Sequence, residues 1–446
     1  MRRENEIFIE SGDQAGVKSS TPTPALVNYV RFEPSGFIVK IPLKPHAAAN
    51  TGDTAGALEN YAKADRIIDN LRREFPDQIE FKGLKRNLHT KMGEVFQRGG
   101  NPEETRKNFL AAVDLSREMV DAEPENPTHL SALGQAYILY GETLPLGLNE
   151  NQSVAVASKG LPFLEKALII TPNESVPLQR MNMANIHIGL QLCSLAREAE
   201  ESGDLNKVVE LYEQASEQFQ KAKETAEKLT TLDGKNAGFH RRLYASKFDE
   251  SIALSGLGKT GEALQIQREI LAETEKSSKD ALNAEAQFDL AQVYYETGRT
   301  FARRREFSGA IANMRKAVAL YDKIIEKDAQ NSEVQSYKFE AQLKLGDAIF
   351  EQGNQPEAIE IYRAALAEAR TAPKLKDTPY VGFAEGWTHE KIGDLYAGKN
   401  QMQISCGEYQ KTLENWRAPQ TSPVNFGFSA EKFERLQQKT ARCGEL

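Results

Sequence analysis

Leu345-Gly346-Asp347-Ala348-Ile349-Phe350-Glu351-Gln352-Gly353-Asn354-Gln355-Pro356-Glu357-Ala358-Ile359-Glu360-Ile361-Tyr362 carries the pattern that decides the fold of this chain. A small residue, Gly346, is followed three positions on by apolar Ile349 and seven on by a turn glycine, Gly353. Pro356 then opens a second stretch that runs to the bulky Tyr362. Proline in the first turn of a helix is tolerated because the N–H it lacks would have no partner there. The passage reads as helix, turn, helix.

The same order recurs through the chain. The small position is held by Gly93, Gly134, Ala196, Ser251, Gly298, Gly346 and Gly393, and the turn position by Gly100, Gly141, Gly203, Gly258, Arg305, Gly353 and Asn400. The bulky position is Tyr61, Phe109, Phe163, Tyr212, Gln267, Met314, Tyr362 and Tyr409, at steps of 48, 54, 49, 55, 47, 48 and 47 residues. A period near fifty with two helices per unit predicts a helical solenoid, in which each unit buries its apolar face only against its neighbours. Ala57, Leu58, Tyr61, Ala64, Ile67, Ile68 and Leu71 show the one-sided spacing of such a helix.

The small residue has a packing reason. Where the two helices of a pair cross, a residue with little side chain lets the backbones approach, and the bulky residue fills the space alongside. Phe96, Tyr137, Ala199, Leu254, Phe301, Ile349 and Tyr396, three positions on, extend the buried stripe by one turn.

Composition narrows the function. A net charge of −8 over 446 residues gives no bulk attraction to a phosphate backbone or an acidic surface, so nucleic acid is not the expected partner. Cys193, Cys406 and Cys443 form no C-x-x-C pair and read as buried small apolar residues of a reducing, cytoplasmic protein. No run of about 18 apolar residues occurs, so no membrane span is expected in this chain.

Three segments depart from the repeat. Residues 1–50 form an extension in which Ala25–Phe32 and Gly36–Leu43, joined by Glu33-Pro34-Ser35, read as a short β-hairpin or a flexible lead-in. Pro145 to Gly160 inserts a Gly, Asn and Ser-containing loop within one unit. After residue 417 comes a proline-containing break, and residues 418–446 end in one further helix that caps the array of residues 51–417, with Phe433 and Leu436 inward.

The unit Leu-Gly or Ile-Gly, an aromatic residue three on, a glycine turn and Ala-Leu-x-x-Tyr-x-x-Ala resembles the tetratricopeptide repeat with lengthened helices. More narrowly, Gly52 to Tyr61, Lys391-Ile392-Gly393-Asp394 and Ala441-Arg442-Cys443 resemble the repeat region that follows the kinase domain in some bacterial serine/threonine protein kinases. The resemblance covers residues 46 to 446 and implies an all-α, right-handed α-solenoid. It also implies a protein-interaction scaffold, or the regulatory arm of such a kinase, rather than a catalyst.

The catalytic signatures of that family are missing: H-R-D, D-F-G and G-x-G-x-x-G do not occur, although phosphoryl transfer depends on them. Gly256-Leu257-Gly258-Lys259-Thr260 ends like a phosphate-binding loop, but Ala253 stands where that loop needs glycine, so an inter-helix turn is expected. The six histidines follow no zinc-site spacing, and no metal or cofactor is expected.

The working part is then a surface. The position after each small residue, Glu94, Gln135, Arg197, Ile252, Arg299, Asp347 and Asp394, is expected to line the concave face formed by the first helices. Arg299 and Arg303, one turn apart, form a basic cluster able to hold a carboxylate or phosphate. With Asp347 and Asp394 they are the candidate residues for binding a protein or peptide.

Overall fold

The computed structural model describes residues 54–98, 101–147, 151–277, 284–329, 331–372, 379–417, 430–441 and 443. The expected hairpin in residues 1–50, the turn at Gly100 and the break after residue 417 lie outside them. Among the described residues there is no strand. The helices are α1 (Thr54–Glu74), α2 (Ile79–Arg98), α3 (Pro102–Ala122), α4 (Pro127–Gly141), α5 (Gln152–Ser158), α6 (Leu161–Ile170), α7 (Ser175–Ser202), α8 (Leu205–Leu232), α9 (Ala237–Gly256) and α10 (Thr260–Ser277). They continue with α11 (Ala284–Arg303), α12 (Phe307–Lys327), α13 (Ser332–Gln352), α14 (Gln355–Thr371), α15 (Pro379–Gly398), α16 (Met402–Arg417) and α17 (Ala430–Ala441).

The chain forms two compact units. One comprises Met1–Leu144, Asn151–Ile188 and Glu224–Arg242, and the other Pro145–Glu150, Gly189–Lys223 and Leu243–Leu446. Within each, antiparallel helix pairs stack in chain order, so each is a stretch of α-solenoid. The first unit's interior passes from Tyr61, Ile68 and Leu88 of α1 and α2 to Val113, Leu130 and Leu133 of α3 and α4. In the second, Tyr294, Tyr321 and Val334 are followed by Met314, Tyr362 and Val381, then by Tyr409, Trp416 and Leu436. Full burial of each such large side chain contributes about 1.5–3 kcal/mol.

The turns close in one way. Residues Gly203, Gly258, Arg305, Gly353 and Asn400 all have positive φ, between 55° and 99°. The next residue's N–H then reaches back to the carbonyl five positions earlier: Asp204 to Ala199 (3.1 Å), Lys259 to Leu254 (2.9 Å), Glu306 to Phe301 (3.0 Å), Asn354 to Ile349 (3.1 Å) and Gln401 to Tyr396 (2.9 Å). These bonds satisfy helix-end carbonyls in the manner of a Schellman motif. Gly258 with Lys259 is therefore a helix-ending turn between α9 and α10. Asparagines start several second helices and their successors: Asn101, Asn126 and Asn331 accept from Glu104 N, Thr128 N and Val334 N at 3.0–3.1 Å.

The pairing of small and bulky residues is direct. A Cβ on Gly93, Gly346 or Gly393 would overlap the ring of Phe109, Tyr362 or Tyr409, and one on Gly298 would stand 2.7 Å from Met314 Cγ. Where the small residue is Ser251, the partner is polar: Gln267 Nε2 donates to Ser251 Oγ at 3.2 Å and to Thr300 Oγ1 at 3.0 Å. A heptad to either side, a second exchange of sizes holds the pair. Gly189 faces Phe219 and Gly386 faces Trp416, and at the same register Ala291 and Tyr321 are both fully buried. Phe339 with Ala369 reverses the order, placing the ring on the first helix.

Two expectations are corrected. Gly134 faces Leu164, not Phe163; Phe163 instead stacks on Tyr137 at 6.0 Å. The reason is that part of the presumed loop, Gln152–Ser158, is helical (α5), with Gly141 against Ala157 and Ser153 Oγ donating to Gly141 O at 2.7 Å. The second helix of this unit is thus in two pieces, and the long connection is confined to the residues before Gln152. The cysteines are the other correction. Cys193 is buried, but Cys406 and Cys443 form a disulfide across 37 positions. Sequence distance hid the pair, because α17 folds back onto α16.

Candidate partner-binding face

The residues after the small positions lie on the first helices, and those one turn earlier lie beside them. Lys91, Asp249, Glu296, Lys344, Lys391 and Lys439 stand at this earlier position. Sequence reasoning left this second line out, although its spacing of three from the first was readable.

In the first unit the line is partly buried, with Glu142 of the α4 C-terminus beside it. Lys91 Nζ pairs with Glu94 at 3.0 Å. Gln97 Nε2 donates to Glu142 at 3.3 Å, and His187 Nδ1 lies 3.1 Å from the same carboxylate. Burial pushes the His187 imidazole down to about 4, so at neutral pH the contact is a hydrogen bond from a neutral ring, not an ion pair. Burial also raises the Glu142 carboxyl.

In the second unit the line becomes a network of charges. Arg299 NH1 lies 2.9 Å from Glu296 Oε1, and its guanidinium stands over the Tyr295 ring at 5.7 Å. Tyr295 donates its hydroxyl to Glu340 at 2.7 Å. Burial works against the Arg299 charge, but Glu296, Tyr295 and Glu340 hold it well above its ordinary value. Burial would likewise raise Glu340, and Arg299 and Arg197 beside it bring it below the usual carboxylate range. Arg197 lies 3.9 Å from Glu296. Asp249 is buried nearby, and that burial, with Glu296 facing it, lifts its carboxyl to about 8.

Arg303 takes a different direction from Arg299. It donates to Glu200 at 2.7 and 3.1 Å and to the Tyr212 hydroxyl at 3.2 Å, and its guanidinium lies over that ring at 5.8 Å. The two arginines expected to form one cluster therefore address separate sites, each already holding a carboxylate of this chain. Glu200 and Arg197 are both on α7, so these contacts draw α11 against α7 two pairs away.

Asp347 and Asp394 are equivalent to each other. Tyr362 donates to Asp347 at 3.0 Å and Tyr409 to Asp394 at 2.7 Å, each tyrosine fifteen residues after its aspartate. Each aspartate also faces a lysine of the next first helix: Lys391 at 3.8 Å from Asp347 and Lys439 at 2.6 Å from Asp394. Lys439 further contacts Glu390 at 3.0 Å and lies 5.3 Å from the Tyr409 ring centre. Burial opposes its charge, yet Asp394 and Glu390 keep it above the ordinary lysine value. Since Lys439 sits on α17 where Lys391 sits on α15, the last helix docks as the first helix of one more unit. Asp394 remains accessible, with 42% of its side chain exposed.

Among the described residues no group of three or more His, Cys, Asp or Glu side chains is arranged to hold a metal ion, and no helix is long and apolar enough to cross a membrane. What the face offers is fixed charge and hydrogen-bonding capacity on rigid helices.

Residues 298–373 match the family model of the tetratricopeptide repeat, and both units are built of helix pairs. Among solved structures the chain is similar to the apo form of RapI, at 10% identity over 86% of this chain and 98% of that one, with a TM-score of 0.48. It is also similar to the human IFIT1 dimer with m7Gppp-AAAA, at 13% identity over 90% and 79% of the two chains and a TM-score of 0.40. A tetratricopeptide repeat protein from Parabacteroides merdae ATCC 43184 shows 14% identity over 89% and 96%, with a TM-score of 0.32. Comparison with curated proteins gives no match. Likenesses this distant carry nothing about a ligand or partner.

Proposed function

We propose that this chain is a non-catalytic interaction scaffold that binds a protein or extended peptide along the face of its first helices. The observation that carries the reading is the repeated placement of charge on that face. Asp347 and Asp394 are each oriented by a tyrosine from the paired helix, so their carboxylates are held without the entropy loss of ordering a free side chain on binding. Arg299 serves the same face by pairing with Glu296 on its own helix, and Arg303 by fixing α11 against Glu200 of α7.

The test is a pull-down with the intact chain beside an Asp347→Asn, Asp394→Asn double variant, in which the amide oxygen still accepts from the tyrosine while the charge is lost. Loss of a partner at unchanged melting temperature supports the reading. Recovery of every partner at full yield places binding elsewhere, and turnover of a substrate that disappears on changing one polar residue overturns the non-catalytic part.

A second reading, favoured by Lys391-Ile392-Gly393-Asp394 and Ala441-Arg442-Cys443, is a regulatory or sensor arm for a bacterial serine/threonine kinase supplied outside this sequence. Co-purification with such a kinase would support it. The Cys406–Cys443 bond favours service in an oxidising compartment, where disulfides persist, over the reducing cytoplasm. Thiol labelling of the protein taken directly from its native cells tests this, and two freely labelled cysteines at 406 and 443 would count against it.

A further inference from the structure

α17 has 12 residues, where α11, α13 and α15, the first helices that precede it in the second unit, have 20, 21 and 20. A helix of that length is marginal in water by itself, so its place depends on what holds it there. Leu436 is fully buried with Tyr409 and Trp416, beside Leu413 and Trp387. Lys439 meets Asp394 at 2.6 Å and Glu390 at 3.0 Å. Beyond the last turn, Cys443 is bonded to Cys406 near the start of α16.

Of these attachments the disulfide is the one that chemistry can remove. Cys443 is the more exposed of the two cysteines, which directs a dithiol reductant to its sulfur. The reductant's thiolate bonds to Cys443 Sγ, and the bond to Cys406 breaks with its electron pair leaving on Cys406 Sγ. The second thiol of the reductant then displaces Cys443. Two electrons and two protons pass to the cysteines, and the dithiol becomes a disulfide. Residues 418–429 are then the covalent link between α17 and α16.

The seat under α17 has a defined chemistry. It is apolar at Tyr409, Leu413 and Trp416 and acidic at Glu390 and Asp394. The Glu390 side chain is only 10% exposed and has Lys439 as its ion-pair partner. Loss of Lys439 therefore leaves a nearly buried carboxylate that another cation has to neutralise. An acidic helix, or one that is apolar throughout, does not answer both halves of the seat.

We propose that α17 is a redox-released plug: when a dithiol reduces Cys406–Cys443, the seat on α15 and α16 accepts an amphipathic helix of a partner protein that carries two apolar residues three apart and a lysine or arginine three positions beyond them. The pattern is that of Phe433, Leu436 and Lys439 in the plug itself, and the mode is a helix laid into a preformed groove. The proposal rests on the scaffold reading for there being a partner; the seat and its release do not.

Fluorescence anisotropy of a labelled peptide with the sequence of residues 430–441 tests this on the full chain, before and after dithiothreitol. The reduced chain is expected to bind the peptide at least tenfold more tightly than the oxidised chain. Cys443→Ser combined with Leu436→Asp unseats the chain's own α17 without reductant and, checked for native helicity by circular dichroism, should bind more tightly still. A peptide carrying Lys439→Glu should lose the affinity. Equal binding by oxidised and reduced chains, absence of binding to both the reduced chain and the double variant, or an unchanged affinity of the glutamate peptide overturns the proposal. Binding to the double variant but not to the reduced native chain overturns the redox control. Dimerisation of the reduced chain that added peptide reverses assigns the seat to α17 of a second copy and overturns the external partner. In each of these cases a partner lost from the oxidised Asp347→Asn, Asp394→Asn chain would still uphold the scaffold reading.

Discussion

Tyr409 donates its hydroxyl to Asp394 at 2.7 Å from across the helix pair, and the backbone of Gly393, the residue before that aspartate, lies against the same ring. One aromatic side chain thus sets the distance between two helices and aims a charge on their exposed face. Tyr362 does both for Gly346 and Asp347. Structure and proposed function are joined at these residues.

The glycines therefore divide by environment rather than by residue type. Gly346→Ala and Gly393→Ala force a Cβ into a tyrosine ring and should cost about 1–3 kcal/mol through overpacking. Gly407, inside α16, has open space where a Cβ would sit, with no neighbouring atom within 4 Å, so Gly407→Ala should gain about 0.5–1 kcal/mol of helix propensity. Urea unfolding of the three variants measures the contrast, and equal effects at all three would refute the crossing assignment.

Much of this is readable in the sequence for one physical reason: a repeat states each constraint several times. Five of the turn positions aligned from sequence are the positive-φ residues, including Arg305 and Asn400, which no glycine advertises, whereas Gly141 is still helical at the end of α4. The sequence register matches Gly134 to Phe163 because a broken second helix shifts it, and local composition does not reveal which face an inserted helix presents. The site is less legible. Arg299 and its ion-pair partner Glu296 are three positions apart on one helix, but Glu340, which also holds the Arg299 charge, and Glu200, the partner of Arg303, lie 41 and 103 positions away, and those relationships exist only after the helix pairs stack.

Arg305 is the turn residue that most clearly departs from the glycine rule. At φ 58° its Cβ is crowded against its own backbone, while its distant contact to Glu351 at 3.9 Å is largely exposed. Arg305→Gly should stabilise the chain by about 1 kcal/mol, since the left-handed conformation carries a penalty of that order for a residue with a Cβ and the exposed pair contributes little. Thermal unfolding checks this, and a lower melting temperature for the variant would show that the ion pair outweighs the backbone.

Gln267 is fully buried at a position where other pairs place Tyr362, Tyr409 or Met314, and its Oε1 has no donor. Its two hydroxyl partners remain satisfied as donors without it, Ser251 Oγ to Phe248 O at 2.6 Å and Thr300 Oγ1 to Glu296 O at 3.0 Å. Gln267→Met should consequently raise stability by about 1 kcal/mol. Denaturant titration with an unchanged slope is the check, and destabilisation would mean that the Ser251–Gln267–Thr300 chain is worth more than the unmet acceptor costs.

Reducing agent should act on the end of the array. The Cys406–Cys443 bond closes a loop across 37 positions, which on chain entropy alone stabilises by about 3–4 kcal/mol. Otherwise α17 is held by Leu436, which is fully buried, and by Lys439 at Glu390 and Asp394. Dithiothreitol should therefore lower the melting temperature and increase hydrogen exchange in α17, and Cys443→Ser should remove the sensitivity. A melt indifferent to reductant would contradict the pairing.

Asp249 and His187 should give pH dependences of opposite sign. Asp249 has a folded pKa of about 8 against an ordinary 3.8, raised by burial and then by Glu296, so the folded state binds its proton more tightly than the unfolded state does. The stabilisation is complete below the unfolded value and is lost as pH rises through the folded one, between about pH 4 and 8. His187 is depressed by burial to about 4 from 6.5, so its contribution is complete above pH 6.5 and lost as pH falls toward 4. Asp249→Asn should accordingly gain stability relative to the native chain between pH 5 and pH 9, by at least about 1 kcal/mol, whereas His187→Asn should flatten only the acid side. Urea titrations at pH 4, 5, 7 and 9 separate the two, and parallel pH profiles for native chain and Asp249→Asn would show that Asp249 does not hold its proton in the folded protein.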